Sequence, residues 1–130
     1  MASEPVWLDA DLLIAFNELT VAETGEPHHL RDLGLLESAA ARPINHWNYG
    51  EHDVLALAVS LLVGIGRNHP FVQGNKRTAF AALEYFLYLN GYQLAVEDGD
   101  DLAELVIDLI NGDVSEHSFI LAIEDLVEEA

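Results

Sequence analysis

Apolar side chains recur at three- and four-residue intervals through most of this chain, and polar or glycine-containing breaks divide them into helical runs. The first run carries Leu12, Leu13, Phe16 and Leu19 behind Asp9, a good N-cap residue. A helix is therefore expected from Asp9 to about Thr24, with Trp7 stapling its start. Gly25, Glu26 and Pro27 break it, and His28, His29 and Leu30 continue as loop. A second, short helix is expected over Asp32–Ala41, stopping ahead of Pro43 because the residue before a proline is biased away from helical backbone. Ile44 to Gly50, with His46, Trp47 and Tyr49, reads as an irregular aromatic stretch that covers the core.

The next run is well patterned: Val54, Leu57, Ala58, Leu61, Leu62 and Ile65 share one face of a helix over Asp53–Gly66. Gly64 and Gly66 lack the preceding strand and the third glycine of a dinucleotide loop, so they read as close-packing or helix-ending positions. From Thr78 to Leu89 nearly every residue is apolar and Glu84 is the one charge, which marks a helix buried by neighbours on all sides. Asn90 and Gly91 stop it, and Tyr92 to Val96 reads as an extended piece too short to build a sheet. Asp100 and Asp101 open a further helix with Leu102, Leu105, Val106, Leu109 and Ile110 in stripe and Gly112 after its end. Ser115 caps the last, whose apolar face is Phe119, Ile120, Ile123, Leu126 and Val127. The expected fold is all-α, a bundle of about six helices around a central buried helix, in one domain spanning residues 1–130.

Charge changes this picture. The chain carries 23 acidic side chains and 5 Lys and Arg, a formal net charge of −18, so it lacks the cations that hold a nucleic-acid backbone or an anionic membrane. No cysteine is present, which excludes disulfides and thiolate metal sites and suits a reducing cytoplasm. No apolar run approaches the ~20 residues that cross a bilayer, and Met1 to Trp7 is unlike a signal peptide. A cytoplasmic protein is expected. His28 and His29 stand without a third ligand at metal spacing and read as an exposed loop.

Against that acidity, Arg67, Lys76 and Arg77 fall together around Asn68-His69-Pro70-Phe71-Val72-Gln73-Gly74-Asn75-Lys76-Arg77-Thr78. If a helix runs from Lys76 to Asn90, then Gly74, Asn75 and Lys76 sit at its N-terminus, where unpaired N–H groups and the helix dipole favour an anion. Gly74 can take the positive φ that a cradling turn needs, and Lys76 and Arg77 add full charges. Asn75 separates Gly74 from Lys76 and the preceding element is helical, so this is not the common P-loop. His69 supplies a base whose ordinary pKa of about 6.5 lets it take a proton from an attacking hydroxyl. Phe71 is an apolar anchor for the loop. A phosphate site beside a base suggests group transfer from a polyphosphate.

His69-Pro70-Phe71-Val72-Gln73-Gly74-Asn75-Lys76-Arg77 resembles the signature of the Fic/Doc superfamily, whose general form is His-x-Phe-x-Asp/Glu-Gly/Ala-Asn-Gly/Lys-Arg. The resemblance extends loosely upstream through Leu30–Pro43 and downstream to Asn90-Gly91-Tyr92. It implies that His69 is the general base toward a Ser, Thr or Tyr hydroxyl of a protein, with Asn75 and Arg77 on the phosphates of ATP. Lys76, where AMP-transferring members carry Gly, is similar to the death-on-curing (Doc) branch, in which the γ-phosphoryl group moves. That branch implies a toxin paired with an antitoxin, acting on elongation factor Tu to stop translation. The segment Pro27 to Asp32, with His29, Leu30, Arg31 and Asp32, corresponds to the flap that aligns the target.

One position departs from the pattern. The family places Asp or Glu, which holds Mg²⁺, where this chain has Gln73, and a neutral amide is a poorer ligand for a hard cation. Two alternatives stay open beside phosphoryl transfer: AMP transfer, which Lys76 disfavours, and a catalytically weakened binding module, which Gln73 motivates.

Overall fold

A computed structural model of the chain describes residues 3–96 and 100–130. Met1, Ala2 and residues 97–99 lie outside the described residues, as do the side chains of Asp100 and Asp101, on which the sequence places the opening of the fifth helix. The described residues form six α-helices: α1 (Ala10–Glu23), α2 (Leu33–Asn48), α3 (Val54–Asn68), α4 (Asn75–Leu89), α5 (Asp100–Asn111) and α6 (Glu116–Ile123). Two short strands, β1 (Tyr92–Leu94) and β2 (Val127–Glu129), pair antiparallel with Gln93 opposite Glu128. The fold is all-α, as expected.

Local chemistry sets the helix starts. The side chains of Asp9, Asp32, Asp53 and Ser115 accept hydrogen bonds from the backbone N–H of Leu12, Leu35, Leu55 and Ser118, each at 2.9–3.0 Å. Each cap contributes about 1 kcal/mol. Burial then orders the helices. In α3, Leu55 and every residue from Leu57 to Gly66 are buried, because α2 and α4 cover it on two sides. The central helix is thus α3 more fully than α4, which keeps Tyr88 exposed and Glu84 partly so. The glycines of α3 are packing positions: a Cβ on Gly66 would stand 2.5 Å from Ile110 Cδ1 of α5, and one on Gly64 would stand 3.2 Å from Ala39 Cα of α2.

Three expectations need correction. The second helix does not stop before Pro43 but runs through it to Asn48, so Ile44–Asn48 is helical. An interior proline costs roughly 3 kcal/mol, yet a buried apolar side chain returns about 1.5–3 kcal/mol. Pro43 is itself buried, and half-buried Trp47 meets Trp7 edge-on at 6.3 Å. The last helix ends at Ile123; a 3-10 turn over Glu124–Leu126 leads into β2, so Leu126 and Val127 are not on a helical face. Carboxylates at a helix C-terminus oppose the dipole, and Glu124 and Asp125 stand where α6 stops. Tyr92–Leu94 does build a sheet, because that released segment pairs with it and Ala95 N–H donates to Leu126 O at 2.7 Å. Trp7, for its part, stacks on Phe86 at 5.8 Å and so ties the N-terminal segment to α4 as well as to α2.

Candidate active site

The chain leaves α3 at His69, whose backbone sits in the left-handed region at φ 48°, ψ 55°, the one non-glycine with positive φ among the described residues. That conformation costs an L-residue about 1–3 kcal/mol, and the fold holds it with the loop that follows. Phe71, 1% exposed, anchors the loop in the core. Asn75 then closes it: its Oδ1 accepts from Phe71 N–H at 3.0 Å and its Nδ2 donates to Phe71 O at 2.8 Å. What Asn75 leaves for a ligand is therefore its main-chain N–H. Gly74 is at φ 77°, and a Cβ there would stand 2.9 Å from Val21 Cγ1 of α1, so both the conformation and the space demand glycine. Thr78 N–H to Gly74 O, at 2.8 Å, is the bond that opens α4, and the N–H groups before it have no helical partner.

Lys76 and Arg77 flank these donors and are both exposed. Arg77 is not idle: its Nη2 donates to Glu26 Oε1 at 2.5 Å and its Nη1 to Thr24 Oγ1 at 3.3 Å. The Thr24 hydroxyl also donates to Glu26. That hydroxyl first, and the Arg77 guanidinium next, hold the Glu26 carboxyl below the usual carboxylate range. A bound polyphosphate would have to take Arg77 from this carboxylate. The third cation of the region turns away: Arg67 donates to Leu109 O at 2.9 Å and Ile110 O at 3.2 Å, satisfying carbonyls at the end of α5. A cleft of about 320 Å³ between α2 and α3 includes Arg67 and Arg42, but Arg42 is paired with Glu116 at 3.0 Å, so both arginines already serve the fold.

The segment with His29, Leu30, Arg31 and Asp32 lies on the loop as an extended strand. Leu30 and Phe71 form an antiparallel bridge; Arg31 and Asp32 N–H both donate to Pro70 O, at 2.7 and 3.1 Å, and Val72 N–H donates to His29 O at 3.0 Å. The Arg31 side chain adds bonds to His69 O at 2.6 Å and Asn68 O at 2.9 Å. The sequence thus brings His69, Gly74, Asn75, Lys76 and Arg77 onto one loop and helix start, and the fold lays the segment from His29 to Asp32 beside them.

Sequence reasoning missed Asn17, His28, Thr24 and Glu26. Asn17 is fully buried in α1 between Leu13 and Val21, one and two turns of the same inward stripe. Its Nδ2 donates to Gln73 O at 2.8 Å and to Thr78 Oγ1 at 3.1 Å, and its Oδ1 faces His28 Nδ1 at 2.6 Å. A polar residue at a core position of the helical stripe was the available signal. His28 also lies against Phe71, with ring centroids 5.9 Å apart.

The residues present do not fit a divalent cation held by the protein. Gln73 offers only a neutral amide, Glu26 is engaged by Arg77, and no cluster of three or more His, Asp or Glu side chains occurs among the described residues.

Residues 7–87, which include α1, the segment from His29 to Asp32, the loop and α4 as far as Leu87, match the model of a family described as the Fic/DOC family. The chain is 47% identical over 85 residues to a toxin Doc of Mycolicibacterium smegmatis, covering 63% of this chain and 62% of that protein. It is 32% identical over 104 residues to a protein kinase doc of Escherichia phage P1, covering 79% of this chain and 81% of that protein. The match to the first of these spans under two thirds of that protein's length.

Proposed function

This chain belongs to the Fic/DOC family, and from that premise we propose that it is a Doc-type toxin that transfers the γ-phosphoryl group of ATP to a Ser or Thr hydroxyl of a target protein. The observation that carries this reading is the pairing of an exposed His69, held at a left-handed position, with open N–H donors and two cations at the start of α4. The imidazole takes the hydroxyl proton as the oxygen attacks the γ-phosphorus. The bond from that phosphorus to the bridging oxygen breaks, and ADP leaves with the electron pair. Backbone donors at Gly74 to Arg77, with Lys76 and Arg77, stabilise the charge that develops on the phosphoryl oxygens, which is most of what such a site must do. Gln73 supplies no charged oxygen, so this chain's own side chains would add little to holding any Mg²⁺ that the reaction needs.

Lys76 favours phosphoryl over adenylyl transfer by resemblance. The flap supports a protein target: an extended segment with exposed Leu30 and Val72 beside His69 offers backbone and apolar contacts to another extended chain. Elongation factor Tu is the target that the family resemblance implies, and a separate antitoxin segment is the matching restraint.

The test is label transfer from ATP to elongation factor Tu. Label from the γ position must appear on the target and label from the α position must not. Transfer of α label would move the chain to the AMP-transferring class, and no transfer with Gln73→Asp active would assign it to weakened binding modules.

A further inference from the structure

We propose that Asn17 is a positioning residue for this reaction, one that sets the Gln73–Gly74 peptide so that Gly74 N–H faces the bound phosphate; the proposal rests on the phosphate site argued above. A trans peptide points its C=O and the following N–H in opposite directions. The Gln73 carbonyl is drawn toward α1 by Asn17 Nδ2 at 2.8 Å. Gly74 N–H is thereby turned away from α1, to join the donors of the first turn of α4.

A lock is needed at this peptide because the residue after it is glycine. Gly74 can populate either sign of φ, so the peptide before it is free to turn over unless something fixes it. Turned over, it would present a carbonyl oxygen to an anion. The second N–H of Asn17 goes to Thr78 Oγ1 at 3.1 Å, and Thr78 N–H closes on Gly74 O at 2.8 Å, so one buried side chain spans both ends of the turn. The orientation of the amide is itself set. With its nitrogen committed to two acceptors, its oxygen faces His28 Nδ1 at 2.6 Å, which must then carry the proton. His28 in turn packs on Phe71 and has its other ring nitrogen 3.9 Å from Glu18 Oε1. The chain of contacts runs from the α1 surface through Asn17 to the peptide that touches the phosphate.

Amide NMR of the full chain titrated with inorganic tripolyphosphate, in wild type and Asn17→Asp, tests this. A carboxylate is nearly isosteric with the amide but cannot donate to the Gln73 carbonyl. In wild type, the amides of Gly74, Asn75, Lys76 and Arg77 should all shift. In Asn17→Asp the Gly74 response should vanish, tripolyphosphate should bind about tenfold more weakly or worse, and KM for ATP should rise while KM for the protein target holds. Unchanged amides in α5 and α6 would show that the variant is folded. An Asn17→Asp protein that keeps the Gly74 shift and wild-type affinity overturns the proposal. If that variant does not fold, wild type decides: shifts at Asn75 to Arg77 without Gly74 overturn the positioning role alone, and no shift at any of the four overturns the phosphate site and this inference with it.

Discussion

The two ends of α4 are each closed by an asparagine, to opposite effect. At the end, Asn90 Nδ2 donates to Phe86 O at 2.8 Å and to Val6 O at 3.1 Å, and its Oδ1 accepts from Val6 N–H at 2.8 Å. The Phe86 carbonyl is thereby met, the main-chain N–H groups of Asn90 and Gly91 meet the carbonyls of Leu87 and Tyr88, and Trp7 stacks on Phe86. At the start, Asn75 spends both its groups on Phe71 of the preceding loop and leaves the helix donors open. The same side chain thus serves stability at one end and exposure at the other. An end whose polar groups are tied to the neighbouring chain helps hold the fold together, and an end that leaves its donors open can bind.

Substitutions should separate the two ends. The largest effect is expected from His69→Ala, which should lower transfer by about 10²–10⁴-fold with a thermal midpoint near wild type, since the imidazole is exposed. Single-turnover transfer and thermal melts check both halves. At the other end, Phe86→Ala should cost about 3–5 kcal/mol of stability in urea denaturation, because the ring is fully buried under Trp7. Its transfer rate per folded molecule should hold; a rate that collapsed with the fold intact would mean that the ends are coupled.

Glu26→Gln should act at the start alone and in the direction of gain, a few-fold tighter binding of tripolyphosphate, because it removes the carboxylate that occupies Arg77. The folded-state pKa of Glu26 is depressed, so its pairing is complete above the ordinary carboxylate value of 4.5 and is lost as pH falls through the lowered one. Calorimetry should therefore find variant and wild type apart at neutral pH and convergent in acid. Weaker binding by the variant would instead make Glu26 the group that aims Arg77. The smallest effect belongs to Glu84, midway along α4, whose carboxyl is raised above its ordinary value by desolvation. The folded state there disfavours the charged form, with the penalty absent below the ordinary value and present once pH rises past the raised one. Glu84→Gln should raise the thermal midpoint slightly at neutral pH and leave it unchanged in acid.

Much of this was legible in the residues. Apolar spacing of three and four residues found the helices, Asp9 and Ser115 placed the starts of two of them, and His69 to Arg77 stood out as a basic loop in an acidic chain. What spacing could not show was context. Pro43 argued for a helix end, and only the packing around Pro43 and Trp47 outweighs it. Leu126 and Val127 kept helical spacing, but the pairing with β1 that claims them comes from more than 30 residues away, as in Leu94 with Val127. Asn17 sits 56 residues from Gln73, and Glu26 sits 51 from Arg77. Local periodicity carries no information on such pairs, which is why the donors of the site were found and the groups that hold them were not.

The most direct measurement is the intact mass of elongation factor Tu after incubation with this protein, ATP and Mg²⁺, beside a His69→Ala control. A single phosphoryl increment with the wild-type chain and none with the control is the expected result. An adenylyl increment, or a phosphoryl increment that survives in the control, would contradict the assignment of His69 and the start of α4 as a γ-phosphoryl transfer site.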